Sequence, residues 1–263
     1  MYDILIAPIE AHISTPKIGI IPYGVLNYPP FQALYDGNRY LIEKFTISYI
    51  PSLSILPFIQ QNDQDESPRI LAFGNPDLGN AALDLPATEK EVASIKSIFP
   101  AADILKRQNA SEAKAKQLAG RFNLVHFASH GEYVPEVPLA SCLRLTPGNG
   151  EDGRLEAKEV FDLELEADLV VTSACQTAIG KINQGDEIVG LTRAFIYAGT
   201  HSVLGSLWNI SDDATAELMQ AFYLNIRTIG KAEALRQAQI KMITSENYNH
   251  PFYWAAFNIT GGF

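Results

Sequence analysis

Two stretches decide how this chain is read: Leu124-Val125-His126-Phe127-Ala128-Ser129-His130-Gly131 and Asp168-Leu169-Val170-Val171-Thr172-Ser173-Ala174-Cys175-Gln176-Thr177-Ala178. Each is a short apolar, β-branched run of the kind that forms a strand buried on both faces of a parallel sheet. The first stops at His-Gly and the second at Cys. In open α/β sheets, ligands bind beyond the carboxyl ends of the strands. Neighbouring strands ending in His130 and Cys175 would bring an imidazole and a thiol to one rim, the minimum for a cysteine nucleophile with a histidine base.

Working outward, strands alternate with helices of about a dozen residues, the pattern of a mainly parallel sheet covered on both faces. Strands are expected at residues 70–74, 141–145 and 202–207 besides the two above. Helices are expected at 87–99, stopped by Pro100, and at 110–121, with Asn109 as cap. A short helix is read at 155–161, and a buried helix, apolar nearly all round, at 187–198. Ser211 with Asp212 and Asp213 opens a helix to residue 224, and 231–243 is the last long helix. Residues 250–260 read as an aromatic strand. Before this core lies a strand-rich subregion, residues 1–67, with strands expected at 4–9, 18–21, 40–43 and 45–50 and hairpin chemistry at 35–40. The polar stretch 60–68 separates it from the core, 68–263, as a linker or a surface loop.

Composition narrows the class. The 263 residues are 47% apolar and 19% charged, enough for a full core. The net charge of −10 comes with no basic stripe, so direct nucleic-acid contact is not expected. No apolar run reaches the length of a membrane span, and the N-terminus has no basic segment of a signal peptide. Two cysteines fit a reducing compartment, the cytoplasm, better than a disulfide scaffold. The chain starts abruptly inside an apolar run, as a domain excised from a longer protein would.

Cys175 could be an inert packed thiol, as most buried cysteines are. Its place at a strand end, followed by Gln-Thr-Ala, favours exposure instead. His130 can accept and return a proton near neutral pH. Gly131 lets the backbone approach a substrate and offers an N–H to an oxyanion. His126 and His130 are four apart, but along a strand that is about 13 Å, too far to share a metal. No metal site and no cofactor motif is expected. Cys142 reads as packing. Among the acids near the rim (Asp186, Glu187, Asp212 and Asp213), the last two are explained by the helix start or by binding a cationic side chain.

These residues resemble the CHAT family of caspase-like and separase-like cysteine peptidases. The resemblance runs through Ile21-Pro22-Tyr23-Gly24, Ile47-Ser48-Tyr49-Ile50-Pro51-Ser52 and Leu85-Pro86-Ala87-Thr88-Glu89-Lys90-Glu91-Val92. It continues through His130-Gly131, Ser173-Ala174-Cys175-Gln176-Thr177-Ala178, Gly190-Leu191-Thr192-Arg193-Ala194-Phe195 and Ser206-Leu207-Trp208-Asn209-Ile210-Ser211-Asp212-Asp213. It implies an α/β caspase-like three-layer sandwich and peptide-bond hydrolysis through an acyl-enzyme. Cys175 would be the nucleophile and His130 the base, with Gly131 and Cys175 N–H groups holding the oxyanion. It also implies a protein or peptide substrate and helical TPR repeats elsewhere in the natural protein. By chain order the pocket before the scissile bond would involve Ser173, Trp208, Asn209, Asp212 and Asp213. Two carboxylates and no base there point to arginine or lysine before the cut, with Asp213 as counter-charge. The alternative is a non-catalytic peptide-binding or signalling domain of the same fold.

Overall fold

The β-branched runs at the centre of the chain form the middle of an eight-stranded sheet. In the computed structural model, residues 1–59, 68–134, 136–173, 175–176 and 186–263 are described, the side chains of 175, 176 and 186–189 excepted. The strands are β1 (Lys17–Ile20), β2 (Thr46–Tyr49), β3 (Ile70–Pro76), β4 (Asp103–Arg107), β5 (Leu124–Ala128), β6 (His130–Glu132), β7 (Cys142–Arg144), β8 (Arg154–Glu156), β9 (Leu169–Thr172), β10 (Cys175–Gln176), β11 (Ser202–Ser206) and β12 (Phe257–Gly261). The helices are α1 (Tyr2–Leu5), α2 (Ala7–Glu10), α3 (Leu41–Lys44), α4 (Leu56–Ile59), α5 (Pro86–Ile98), α6 (Glu112–Leu118), α7 (Ala157–Val160), α8 (Asp186–Tyr197), α9 (Asp212–Ile229), α10 (Lys231–Ile243) and α11 (Pro251–Trp254).

The large sheet has the order β1-β2-β12-β11-β9-β5-β3-β4. The five strands from β11 to β4 are mutually parallel. β12 runs antiparallel to β11, and β2 and β1 follow the direction of β12. Parallel strands need both faces covered, and both are. One face packs Ala72, Val171 and Leu204 against α5, α9 and α10 through Val92, Leu218, Phe222 and Leu235. The other packs Phe73, Val125, Phe127 and Val170 against α6, α7 and α8 through Ala115, Val160, Ala194 and Phe195. Alternation along each strand thus sends successive apolar side chains into two cores, each large side chain contributing about 1.5–3 kcal/mol. The result is the expected three-layer α/β sandwich.

Several local expectations are corrected. Residues 4–9 are not a strand but fall across α1 and α2. Residues 40–43 are not a strand either: Glu43 Oε2 accepts the Tyr40 N–H at 2.6 Å and starts α3 there. The hairpin chemistry at 35–40 survives as one antiparallel bridge, Tyr35 to Tyr40. The cap of α6 is Ser111, not Asn109, and Asn109 instead accepts from Lys114 Nζ at 2.6 Å. Residues 155 and 156, expected to open a helix, instead belong to β8, and α7 follows. α8 is not buried all round, since Arg193 and Tyr197 are exposed. α9 runs past residue 224 to Ile229, where Gly230 takes a φ of 78°. Residues 250–260 are α11 followed by β12 rather than one strand. β4 was not anticipated; it is an edge strand with weak alternation. Residues 60–67 of the linker stretch lie outside the described residues.

Strand order reverses between β3 and β5: the chain leaves β3 outward to β4 and returns to place β5 on the other flank of β3. Such a switch point opens a crevice at the carboxyl ends of the two strands.

Candidate active site

The two decisive runs do not reach the site as single strands. β5 ends at Ala128 and β9 at Thr172, paired in parallel within the large sheet. The chain then steps through buried Ser129, and through buried Ser173, into a second sheet of order β10-β6-β7-β8. This corrects the expectation that His130 and Cys175 end the central strands themselves. In the second sheet β6 and β10 are parallel, and Cys175 is the register partner of His130, with Gln176 opposite Gly131. Strand neighbours of this kind lie about 4.8 Å apart. β7 and β8 extend this sheet on the far side of β6 in antiparallel order.

His130 is 5% exposed. Its Nε2 lies 2.7 Å from the carbonyl oxygen of Leu83. A carbonyl only accepts, so Nε2 carries the proton and donates it. Nδ1 is then left with the lone pair that can take a proton from a thiol. The Leu83 carbonyl had no sequence signature, because every residue carries one. Gly131 follows, half-buried, within β6.

The acids of the next loop divide by burial. Ser211 caps α9, its side chain accepting the Ala214 N–H. Asp213 is exposed, whereas Asp212 is half-buried. Burial, then the charges of Asp213 and Glu91, push the Asp212 carboxyl above its ordinary value, and His130 pulls in the opposite direction. Asp212 therefore lies in the electrostatic field of the imidazole. Trp208 is fixed by stacking on Phe252, ring centres 6.4 Å apart, and by Nε1 donating to the Phe252 carbonyl at 2.9 Å. Asn209 is exposed. Ser173 is buried, and its Oγ has no hydrogen-bond partner among the described residues. α8 begins at Asp186, and the side chains of Asp186 and Glu187 lie outside the described set.

Other reactive side chains are committed elsewhere. Cys142 is buried, and burial pushes its thiol up to about 12. His126 is fully buried, with Nε2 3.2 Å from Glu91 Oε1 and Nδ1 2.9 Å from the Tyr223 hydroxyl. Glu112, Glu151 and Glu159 converge closely enough to hold a cation. The Lys116 ammonium sits among them at 2.7, 2.6 and 2.8 Å and supplies that charge itself.

A mainly parallel sheet between two helical layers is the architecture of the caspase-like fold. Solved structures of low sequence identity share it. The separase–securin complex of Saccharomyces cerevisiae superposes with a TM-score of 0.53 at 14% identity, covering 82% of this chain and 14% of that one. The Arg-specific cysteine proteinase gingipain R (RgpB) superposes with a TM-score of 0.55 at 11% identity, covering 88% and 56%. The CHAT domain model matches residues 1–262, and the chain belongs to the CHAT family. Among curated proteins it is similar to tetratricopeptide repeat protein 28 of Mus musculus and of Homo sapiens, 27% identical in each case over 324 residues. That match covers 99% of this chain but 13% of the length of those relatives. No helix among the described residues is long and apolar enough to cross a membrane.

Proposed function

We propose that this domain is a cysteine endopeptidase acting on a protein or peptide substrate. Cys175 attacks the scissile carbonyl and forms an acyl-enzyme. Nδ1 of His130 takes the thiol proton and hands it to the leaving amine, and water then releases the acyl group. The N–H groups of Gly131 and Cys175 hold the oxyanion, each donor being worth about 3 kcal/mol in such sites. The single observation that carries the reading is the parallel pairing of His130 with Cys175. The Leu83 bond supports it by leaving Nδ1 as the acceptor.

The pocket before the cut is assigned to Ser173, Trp208, Asn209, Asp212 and Asp213, with arginine or lysine preferred. The counter-charge assigned to Asp213 is shared with Asp212, the less exposed of the two. A TPR region and a regulatory protein are the partners proposed, with a cytoplasmic location and no cofactor.

The second reading, a peptide-binding module without catalysis, is favoured by the curated relatives, which are named for their repeats and not for hydrolysis. Cleavage profiling on a peptide library separates the two. Cys175→Ala and His130→Ala should each abolish cleavage and keep the fold, and the double variant should be no worse than either, since residues acting as one unit are non-additive. Turnover retained by purified Cys175→Ala would end the peptidase reading.

A further inference from the structure

The His130 partner, the Leu83 carbonyl, belongs to a turn capped locally by Asn80 but with no buried residue to anchor it. Ala81–Leu83 is a single turn whose first two residues are exposed, and none of the three is buried. Such a segment has no core of its own, yet it must keep an oxygen within hydrogen-bond reach of an imidazole.

Two tethers reach it from the ends of β3 and β4. Asn75 is 3% exposed and uses both ends of its amide. Its Oδ1 accepts the Leu85 N–H at 2.7 Å, and its Nδ2 donates to Glu89 Oε1 at 2.9 Å. Its own N–H donates to Thr88 Oγ1 at 2.8 Å. Arg107 Nη1 donates to Asp84 Oδ1 at 2.7 Å. Asp84 and Leu85 directly follow Leu83, so each is tied to a different strand.

Asn75 and Arg107 also share a backbone feature. Their φ values are 45° and 50°, in the left-handed region that side chains rarely adopt. They sit where the pairing of β3 with β4 is irregular, between Gly74 and Pro76, with Pro76 opposite Arg107. Glycine would relax both positions, but it would supply neither the amide nor the guanidinium. Strain held at a specific side chain beside a candidate site is the pattern of a positioning device.

We infer that Asn75 and Arg107 form a clamp that presents the Leu83 carbonyl to His130, so that Nε2 keeps the proton and Nδ1 stays the acceptor. Both are positioning residues for the reaction proposed above, and the inference rests on that reading of His130. The clamp also gives the Leu85–Val92 motif a purpose: its Leu85, Thr88 and Glu89 are the groups that Asn75 holds.

The test is the tautomer of His130, read by long-range proton–nitrogen NMR on the labelled full chain, with Asn75→Gly and Arg107→Gln as variants. Asn75→Gly keeps the left-handed backbone and removes the amide. Arg107→Gln changes a half-buried side chain on the edge strand and spares the core. Wild type should show His130 protonated at Nε2, and both variants should shift toward a mixture of tautomers. In peptide cleavage, the same variants should lose up to about a hundredfold in kcat with KM unchanged, the scale of a catalytic group misplaced by about 1 Å. If both folded variants keep the wild-type His130 signal, the clamp is overturned. A wild-type His130 protonated at Nδ1 overturns it equally. Wild type that cleaves no peptide ends the peptidase reading alone, because the tautomer shift still decides whether the clamp acts on His130.

Discussion

Asp212 shows how one carboxylate can be pulled by five effects at once. As the first residue of α9 it meets the positive end of the helix, worth about 0.3–1 kcal/mol to a charge, and His130 also favours the ionised form. Burial, Asp213 and Glu91 outweigh the imidazole, and the carboxyl lies above its ordinary value. A carboxyl raised on folding contributes its stability below the unfolded value, about 3.9 for aspartate, and loses it as pH rises through the folded one. Asp212→Asn should therefore gain stability over wild type as pH climbs through the carboxylate range, and Asp213→Asn, which removes one of the charges that raise Asp212, should move the curve in the same direction by less. Urea unfolding at a series of pH values reads this directly. Equal stability of Asp212→Asn and wild type at neutral pH would contradict the account. The same two variants test specificity: if both leave any arginine selectivity unchanged, the proposed pocket is misplaced.

At the scale of elements, the sheet depends on turns that bring the chain back in register. Gly199 joins α8 to β11 with a φ of 109°, and a Cβ there would lie 2.2 Å from the Leu165 carbonyl oxygen. Gly199→Ala should cost at least about 2 kcal/mol, combining a strained φ with a backbone clash. Thermal unfolding checks it, and an unchanged Tm would mean the turn relaxes freely. Elements of this inner kind were legible in the sequence: β3, β5, β9 and β11 are short β-branched runs, and α5 and α10 show the helical period between clear stops. The misreadings share a cause. Residues 4–9, 40–43 and 250–260 are brief apolar runs that fit strand or helix equally well, and local bonds such as Glu43 to the Tyr40 N–H decide between them. In the site, His130 and Cys175 could be read because their side chains differ from the strands that carry them. The Leu83 carbonyl, and the side chains that tether it, depend on a turn that only the folded chain defines.

At the scale of the molecule, residues 1–59 do more than precede the core. β2 pairs with β12 at Tyr49 and Thr260, and Ser48 Oγ donates to the Gly261 carbonyl at 2.8 Å. Gln32 Nε2 donates to the carbonyls of Ala255 and Phe257 at 2.6 and 3.0 Å. Removing residues 1–59 would bare the β12 edge and take the Ser48 and Gln32 donors from the Gly261 and Ala255 carbonyls, and open edges of this kind recruit other chains. The truncated chain should aggregate, or unfold at markedly lower urea, where the intact chain stays monodisperse; scattering and urea titration distinguish these outcomes, and a stable truncated monomer would make 68–263 an independent unit.

The central claim is that His130 activates Cys175, and one measurement meets it most directly. The intact protein is treated with an arginyl peptide electrophile and weighed by mass spectrometry. Burial keeps Cys142 inert by holding its thiol at about 12. The account predicts a single adduct, mapped to Cys175, that is lost in His130→Ala. No adduct on the native protein, or equal labelling of wild type and His130→Ala, would contradict it.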